Sequence, residues 1–449
     1  MTARICRWQD MERWTPDGGA SWDAMFPMAS LGDFLNRVLR PIDKTQRPLE
    51  SLNVIAKITF GGQLHLRTPE QKQGYKGPLL EALPGELVIS KIRVGQGSLC
   101  VVPDDLDHLA VSPEYPTYRP DFKQVRVRYL NLLLRAPQFQ HLLRFSSSGN
   151  TTKKRIRPSD FEQVEVPLPE PKEQDRLLDA YEAVLSRAAK MEAEADAIEQ
   201  RGLLAFEAAL GLTPPPDLPR RLLQIAQFRD MGRWSHEAIL QRDLLGDDPP
   251  ESRFEIVPLE DFANVTYGIQ KSPANRPGLH ARPYLRVANV RRGGLDLQEI
   301  KHINVPDRDM SRLRLEPGDV LFVEGNGTRG ELGRAAFWNG EIPDCVHQNH
   351  IIKARPDKRR ADSEFIMEWF NTDAGRMHFF RNAKTTSGLG TLNSTDIRTA
   401  PVPLPDNLET QKRIVRALRE ARQRATKRRE EALRLRDTAW NEFLAAVFQ

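Results

Sequence analysis

The chain has 449 residues, of which 66 are basic and 61 acidic, giving a net charge of +5, and 39% are hydrophobic. This length exceeds one ordinary core and suits two to four domains, and no apolar run is long enough for a transmembrane helix. The mild basic excess permits a polyanionic partner without naming it.

The opening MTARICRWQDMERW lacks the apolar stretch of a signal peptide, so a cytoplasmic location with no membrane partner is expected. Three cysteines, Cys6, Cys100 and Cys345, show no ligand spacing and imply neither a disulfide framework nor a zinc site.

Read in chain order, the sequence repeats itself. ARICRWQDMERW near the start echoes LQIAQFRDMGRW at 223 to 234, and FPMASLGDFLNRV from Phe26 pairs with FEIVPLEDFANVT from Phe254. PGELVISKIRVGQG from Pro84 pairs with PGDVLFVEGNGTRG from Pro317, each an apolar strand entered through a Pro-Gly turn and followed by glycines. YRPDF at 118 to 122 matches ARPDK at 354 to 358. Val-Pro-Leu-Pro at 166 to 169 recurs at 402 to 405, each time opening a long helical pattern. The expected organisation is a mixed strand-and-helix head over 1–170, a long helix over 171–211, a stiff proline-rich linker over 212–221, a second head over 219–407 and a second long helix over 408–449.

The helices carry a heptad seam. Leu177, Tyr181, Val184, Ala188, Met191, Ala195 and Ile198 recur at spacings of 4 and 3 on the first. Ile414, Leu418, Ala421, Ala425, Arg428, Ala432, Leu435 and Ala439 do so on the second, with Arg428 out of character. From Glu170 to Arg201 nine residues are acidic and five basic, whereas Glu409 to Arg436 holds four acidic and eleven basic. Opposite charge favours pairing of the two helices with each other over self-pairing. With a whole head between them, an antiparallel pair inside one chain is expected, one head at each end. Helices of ~35 residues span roughly 50 Å, suited to act as a ruler along DNA. The alternative is that each helix packs only on its own head.

The fold class expected is therefore α+β, two mixed heads separated by two long antiparallel helices in an intramolecular coiled coil, with an internal pseudo-two-fold repeat. Lys153, Lys154, Arg155 and Arg157 follow a Ser-Gly stretch in head one, and Arg381, Lys384, Thr385, Thr386 and Ser387 stand at the matching place in head two. Cations, hydroxyls and glycine-loop amides are the groups that contact phosphate oxygens. Head two adds Asn289, Arg291 and Arg292 before a Gly-Gly turn, and Asn326, Arg329 and Arg334 in EGNGTRGELGR; head one has Lys57, Thr59, Lys91, Arg93 and Gln96 at the matching places. Arg and Asn suit bidentate contacts with guanine and adenine edges; ordinary polar hairpin tips are the other reading.

Catalytic readings are weaker. In GDDPPESR the two prolines precede Glu251, where a base-flipping methyltransferase needs an aromatic residue, so a turn is expected. His347 and His350 in HQNH stand three apart in an apolar segment, which suits core packing better than a metal, since no carboxylate or cysteine cluster completes a site. No phosphate-binding GxxxxGK[ST] loop or GxSxG elbow is present.

PGDVLFVEGNGTRGELGRAAFWNGEIPDCVHQNHIIKARPD at 317 to 357, VSPEYPTYRPD at 111 to 121, and the two VPLP segments followed by EQDRLL and TQKRIV resemble the specificity subunit of Type I restriction-modification enzymes. The resemblance implies two target-recognition domains that each read half of a bipartite, asymmetric site on double-stranded DNA, with helices setting the gap. It implies no catalysis and no cofactor in this chain. The partners would be two methyltransferase subunits using S-adenosylmethionine, and restriction (motor) subunits using ATP and Mg2+. Head one lacks the His-Gln-Asn-His segment, and Gly149 stands eleven residues before Asp160 where Gly388 stands eight before Asp396, so the heads are of different subtypes and a non-palindromic target is expected. The same architecture would also serve another phage-defence or methylation-only system, and a coiled-coil adaptor that never touches DNA is the reading from a different class.

Overall fold

A computed structural model describes residues 25–92, 94–145, 155–212, 251–326, 331–386 and 389–448. The ARICRWQDMERW and LQIAQFRDMGRW echoes, the proline-rich linker beyond residue 212, Cys6 and the GDDPP turn lie outside them. Two compact units emerge, one of residues 1–191 with 430–449 and one of residues 192–429.

In the first unit the strands Leu35–Val38, Thr117–Pro120, Leu87–Ile89 and Leu99–Val101 form an antiparallel sheet in that order. A second sheet runs Leu64–Leu66, Asn53–Ile58, Leu109–Val111, Leu80–Ala82, with its middle pair parallel. The other unit repeats the first pattern with Ala263–Tyr267, Ile351–Pro356, Val320–Val323 and Ala335–Phe337. Its second sheet has three strands, Lys301–Asn304, Ala281–Leu285 and Val346–His347, the last two parallel. Where the first unit has Leu80–Ala82, the helix Asp307–Leu313 supplies Met310 and Leu313 to a core with Tyr284 and Val346.

The repeat extends to single hydrogen bonds. Leu31 N–H donates to the Val164 carbonyl at 2.9 Å, and Leu259 N–H to Ala400 at 3.0 Å; Asp121 donates to Phe34 and Asp357 to Phe262, both at 2.8 Å. The two VPLP segments become the strands Glu165–Pro167 and Pro401–Pro403, each pairing antiparallel with the strand that enters its head, Met28–Ser30 or Ile256–Pro258. Short edge pairs of this kind tolerate proline, which cannot donate to a ladder.

The long helices run Pro171–Leu210 and Leu408–Phe448. Each is locked to its head by a glutamine with no exposed surface. Gln174 accepts from Arg126 N–H at 2.7 Å and donates to the carbonyls of Gln124 (2.8 Å) and Pro169 (2.7 Å). Gln411 accepts from Asp362 N–H at 2.7 Å and donates to Arg360 and Pro405, both at 2.9 Å.

The helices pair antiparallel within each unit. In the first, Tyr181 meets Trp440 and Phe443 at ring centroid distances of 6.4 and 5.8 Å, above a core holding Leu177, Tyr129, Phe139 and Val447. In the second, a Cβ on Gly202 would lie 2.5 Å from the Ala421 methyl, and Phe206 packs with Leu418, Ile414 and Phe365. Seam alanines Ala188, Ala195, Ala421, Ala425, Ala432 and Ala439 are buried, while Val184, Met191, Ile198 and Leu435 are partly so. Arg428, the misfit in the heptad, remains half-exposed and pairs with Glu194 at 3.5 Å. The charge asymmetry is realised as pairs: Arg429 reaches Asp196 (2.7 Å) and Glu199 (2.8 Å), and Arg422 lies 3.6 Å from Glu199.

Candidate nucleic-acid interface

In the second unit the strand Val320–Val323 leaves its sheet and continues as Gly325–Asn326, which pairs with the strand Leu389–Thr391. That strand is the return arm of a hairpin whose first arm is Lys384–Thr386. Leu392 N–H closes the junction on the Glu324 carbonyl at 2.8 Å. Two segments some sixty residues apart, the glycine loop with Asn326 and the hairpin with Lys384, Thr385 and Thr386, thus share one three-stranded sheet. Arg381 is on the last turn of the helix that precedes the hairpin, Asp373–Asn382. Arg329, Ser387 and Gly388 lie outside the described residues.

The first unit builds the same junction more sparely. Ile92 bridges Arg155, and Ile156 N–H donates to the Lys91 carbonyl at 3.0 Å, the counterpart of the Leu392 bond. Lys91 and Arg155 are thereby brought together. Arg155 pairs with the Glu114 carboxylate, while Lys91 N–H donates to the Glu114 carbonyl. In the second unit Glu324 N–H donates to the His350 carbonyl, and the Glu324 carboxylate meets His350 Nδ1 at 2.5 Å. A glutamate side chain thus closes each junction, Glu114 on Arg155 in the first unit and Glu324 on His350 in the second. Arg157 is exposed just beyond; Arg93, Lys153, Lys154 and Gly149 lie outside the described residues.

A hairpin tip borders each junction. In the second unit Val290–Arg291 pairs with Gly294–Leu295, and Gly293 turns at φ +73° while donating to the Ala335 carbonyl at 2.9 Å. Arg291 is 60% exposed and pairs with Asp296 at 3.1 Å, which holds that carboxyl below its usual range. Arg292 reaches Glu331 at 3.3 Å and the Asn371 carbonyl. Asn289 and Arg334, expected at base edges, prove to be scaffolding. Asn289 accepts from Arg286 N–H and donates to the carbonyls of Asp296 and Glu299. Arg334 donates to Val290 and Val287 at 2.7 and 3.0 Å and pairs with Glu331. They are 3% and 7% exposed, and donors already satisfied in the interior are not available to a ligand.

In the first unit the matching tip is Thr59–Gln63. Thr59 Oγ1 accepts from Gln63 N–H at 3.0 Å, the Gly61 carbonyl accepts from the Arg135 guanidinium, and Gly62 turns at φ +74° beside the Leu99 carbonyl. Lys57, on the strand that leads into the tip, and Gln96, beside Gly97, are exposed. Phe60, absent from the sequence reading, occupies the tip and is 51% exposed; the signal for it was an aromatic residue directly before a Gly-Gly turn.

Elsewhere titratable groups are structural. His347 is fully buried beside Lys353, and burial followed by that neighbouring charge pushes its pKa down to about 3, so it is neutral. His350, paired with Glu324, is exposed; the two rings are in different environments and form no metal pair. Among the described residues no group of three or more His, Cys, Asp or Glu stands ready for a metal, and no helix is long and apolar enough to cross a membrane. Burial pushes the thiols of Cys100 and Cys345 up to about 12, which leaves them unreactive.

No family model matches the chain. It is 25% identical over 276 residues to the Type I restriction enzyme EcoKI specificity subunit of Escherichia coli K12, covering 60% of this chain and 53% of that protein. It is also 25% identical over 275 residues to the StySPI specificity subunit of Salmonella potsdam, with the same shares covered. A putative MjaX specificity subunit of Methanocaldococcus jannaschii is 22% identical over 175 residues, 39% of this chain and 40% of that protein. The chain thus spans about half the length of the curated relatives it matches. Among solved structures, a chain from work on complex assembly and conformational transition of a type I R-M system superposes with a TM-score of 0.56 at 16% identity, over 95% of this chain and 98% of that one. The chain is therefore similar in sequence to the specificity subunits of Type I restriction enzymes and shares its fold with a chain of a Type I restriction-modification system.

Proposed function

We propose that the chain is the DNA-recognition and scaffold subunit of a Type I restriction-modification complex. Each head, over about 1–170 and 219–407, reads one half of a bipartite, asymmetric site on double-stranded DNA. The paired helices set the unread gap and dock two methyltransferase subunits. Methyl transfer from S-adenosylmethionine, and ATP- and Mg2+-dependent translocation and cleavage, belong to partner subunits. The observation that carries this reading is the recurrence, in two topologically equivalent units, of one constellation: a glycine hairpin tip, a loop leaving the central sheet, and a cationic segment bonded to that loop. Recurrence of a polar hairpin with different side chains in each copy is what two readers of different half-sites require, since base readout lies in side chains while phosphate contacts hold register. A protein-binding adaptor has no need of cationic loops at matched places.

Methylome sequencing of the host with the gene present and deleted tests the proposal. A bipartite, non-palindromic adenine-methylation motif that disappears on deletion is expected; an unchanged methylome refutes it. Exchanging residues 219 to 407 for a relative's head should alter one half-site only. Inserting one heptad into each long helix should lengthen the gap and leave both half-sites intact.

A further inference from the structure

The two hairpin tips are equivalent in backbone and opposite in chemistry. Gly62 and Gly293 share a positive φ and lie against the edge strands that begin at Leu99 and Ala335. Each tip is tied to the end of a helix of its own head, through Arg135 to the Gly61 carbonyl in one unit and through Arg292 to the Asn371 carbonyl in the other. Two residues before each glycine stand Phe60 and Arg291. An arginine there is what a DNA-reading tip is expected to carry. A phenylalanine is not explained by folding, because Phe60 is half-exposed and belongs to none of the apolar clusters of its unit.

The tip that carries Phe60 is held rigidly. Gly97 turns at φ +90°, and a Cβ there would collide with the Phe60 carbonyl, so the loop after Leu87–Ile89 presses on the tip from one side. The Arg135 bond and the Thr59–Gln63 bond hold it from the other. Thr59 and the exposed Lys57, Gln63 and Gln96 stand on the segments that form and brace the tip, with groups suited to phosphate oxygens and base edges. An apolar ring on a braced tip among such groups has the form of the wedges that DNA-binding proteins insert between base steps, and the bracing means that little ordering entropy is lost on binding.

We propose that Phe60 is such a wedge: its ring packs against and partly unstacks one base step in the half-site read by the first head, while the second head, with Arg291 at the same place, contacts its half-site by a cation. This rests on the DNA-recognition reading above. The test uses the full-length chain assembled with its methyltransferase subunits, on duplexes bearing the methylome-defined site with 2-aminopurine at successive positions of both half-sites. The wild-type complex should raise fluorescence at one step of a single half-site. Phe60→Ala should abolish that rise and weaken binding by about tenfold, the scale of one lost base–aromatic stack, while Phe60→Trp retains both. Adenine flipping by a methyltransferase subunit persists in Phe60→Ala, so the wedge is read as the difference between the two complexes. Thermal melting of Phe60→Leu alongside checks that the tip still folds, and this variant should bind between the other two. Binding and fluorescence unchanged in Phe60→Ala overturn the wedge and leave the recognition reading standing; a wild-type complex with no preference for the site overturns both.

Discussion

Gln411 offers a sharp test of how the heads are joined to the helices. It has no exposed surface and makes three hydrogen bonds, accepting from Asp362 N–H and donating to the carbonyls of Arg360 and Pro405. Gln411→Ala removes all three and leaves backbone groups without partners. A net value of about 1 kcal/mol per bond, with the added cost of orphaned groups, gives roughly 3–4 kcal/mol. For a unit of this size about 1 kcal/mol lowers the midpoint by roughly 2–4 °C, so the melting transition of residues 192–429 should fall by about 10 °C. Differential scanning calorimetry reads this directly. Gln423→Ala on the same helix is the control, because Gln423 is exposed and surface changes stay within about 0.5 kcal/mol. Gln174→Ala should act equally on the other unit. A Gln411→Ala shift no larger than that of the Gln423 control refutes the glutamine lock.

Three further outcomes follow from the geometry. Burial pushes the Glu368 pKa up to about 7 against the attraction of Arg422, so between about pH 4.5 and 7 the native state holds a proton that the unfolded chain has released, and stability falls as pH rises by up to ~3 kcal/mol. Glu368→Gln does not titrate; its stability relative to wild type, from urea midpoints, should be near zero at pH 5 and clearly positive at pH 8. Gly202→Ala would stabilise an isolated helix by ~1 kcal/mol, but against the Ala421 methyl it should destabilise by about 1–3 kcal/mol, a change of sign readable in the same denaturation curves. Lys57→Ala and Arg157→Ala, both at exposed cations, should each weaken DNA binding by the complex uniformly across sequences and reduce the slope of log K against log salt by about 1.

The long-range order of the fold was legible because it is written in repeats and periods. The heptad seams name the buried alanines, the charge counts anticipate the Arg429 pairs with Asp196 and Glu199, and the LxDF and VPLP motifs mark hydrogen bonds that recur in both units. The convergence of the glycine loop with the Lys384 hairpin was not legible. It depends on strand pairing across some sixty residues, which local pattern does not encode. Asn289 and Arg334 illustrate a different limit: polar residues beside glycine turns look like exposed tips, yet Arg334 is buried and donates to the Val290 carbonyl of the 290–295 hairpin and to the Val287 carbonyl just before it. Phe60 shows the converse, an apolar residue with no period to mark its place, which the fold leaves half-exposed on a hairpin tip.

The two units also explain why helix pairing tolerates so many alanines. A seam of small residues contributes little apolar area, about half or less of what leucine would bury per position, so the pair gains its stability where heads and helices meet. In the first unit Phe443 and Val447 enter the core with Tyr129 and Phe139. In the second Phe206 and Leu210 join Phe365 and Trp369, while Glu364 and Glu368 on the head bind Arg419 and Arg422 on the helix. Each head therefore clasps the start of one helix and the end of the other. Small residues in between allow the helices to approach closely, and the ion pairs across them select the antiparallel partner. A heptad inserted into each long helix outside these two cores should therefore cost little stability, whereas a substitution inside either core, such as Phe443→Ala or Phe206→Ala, should cost about 3–5 kcal/mol.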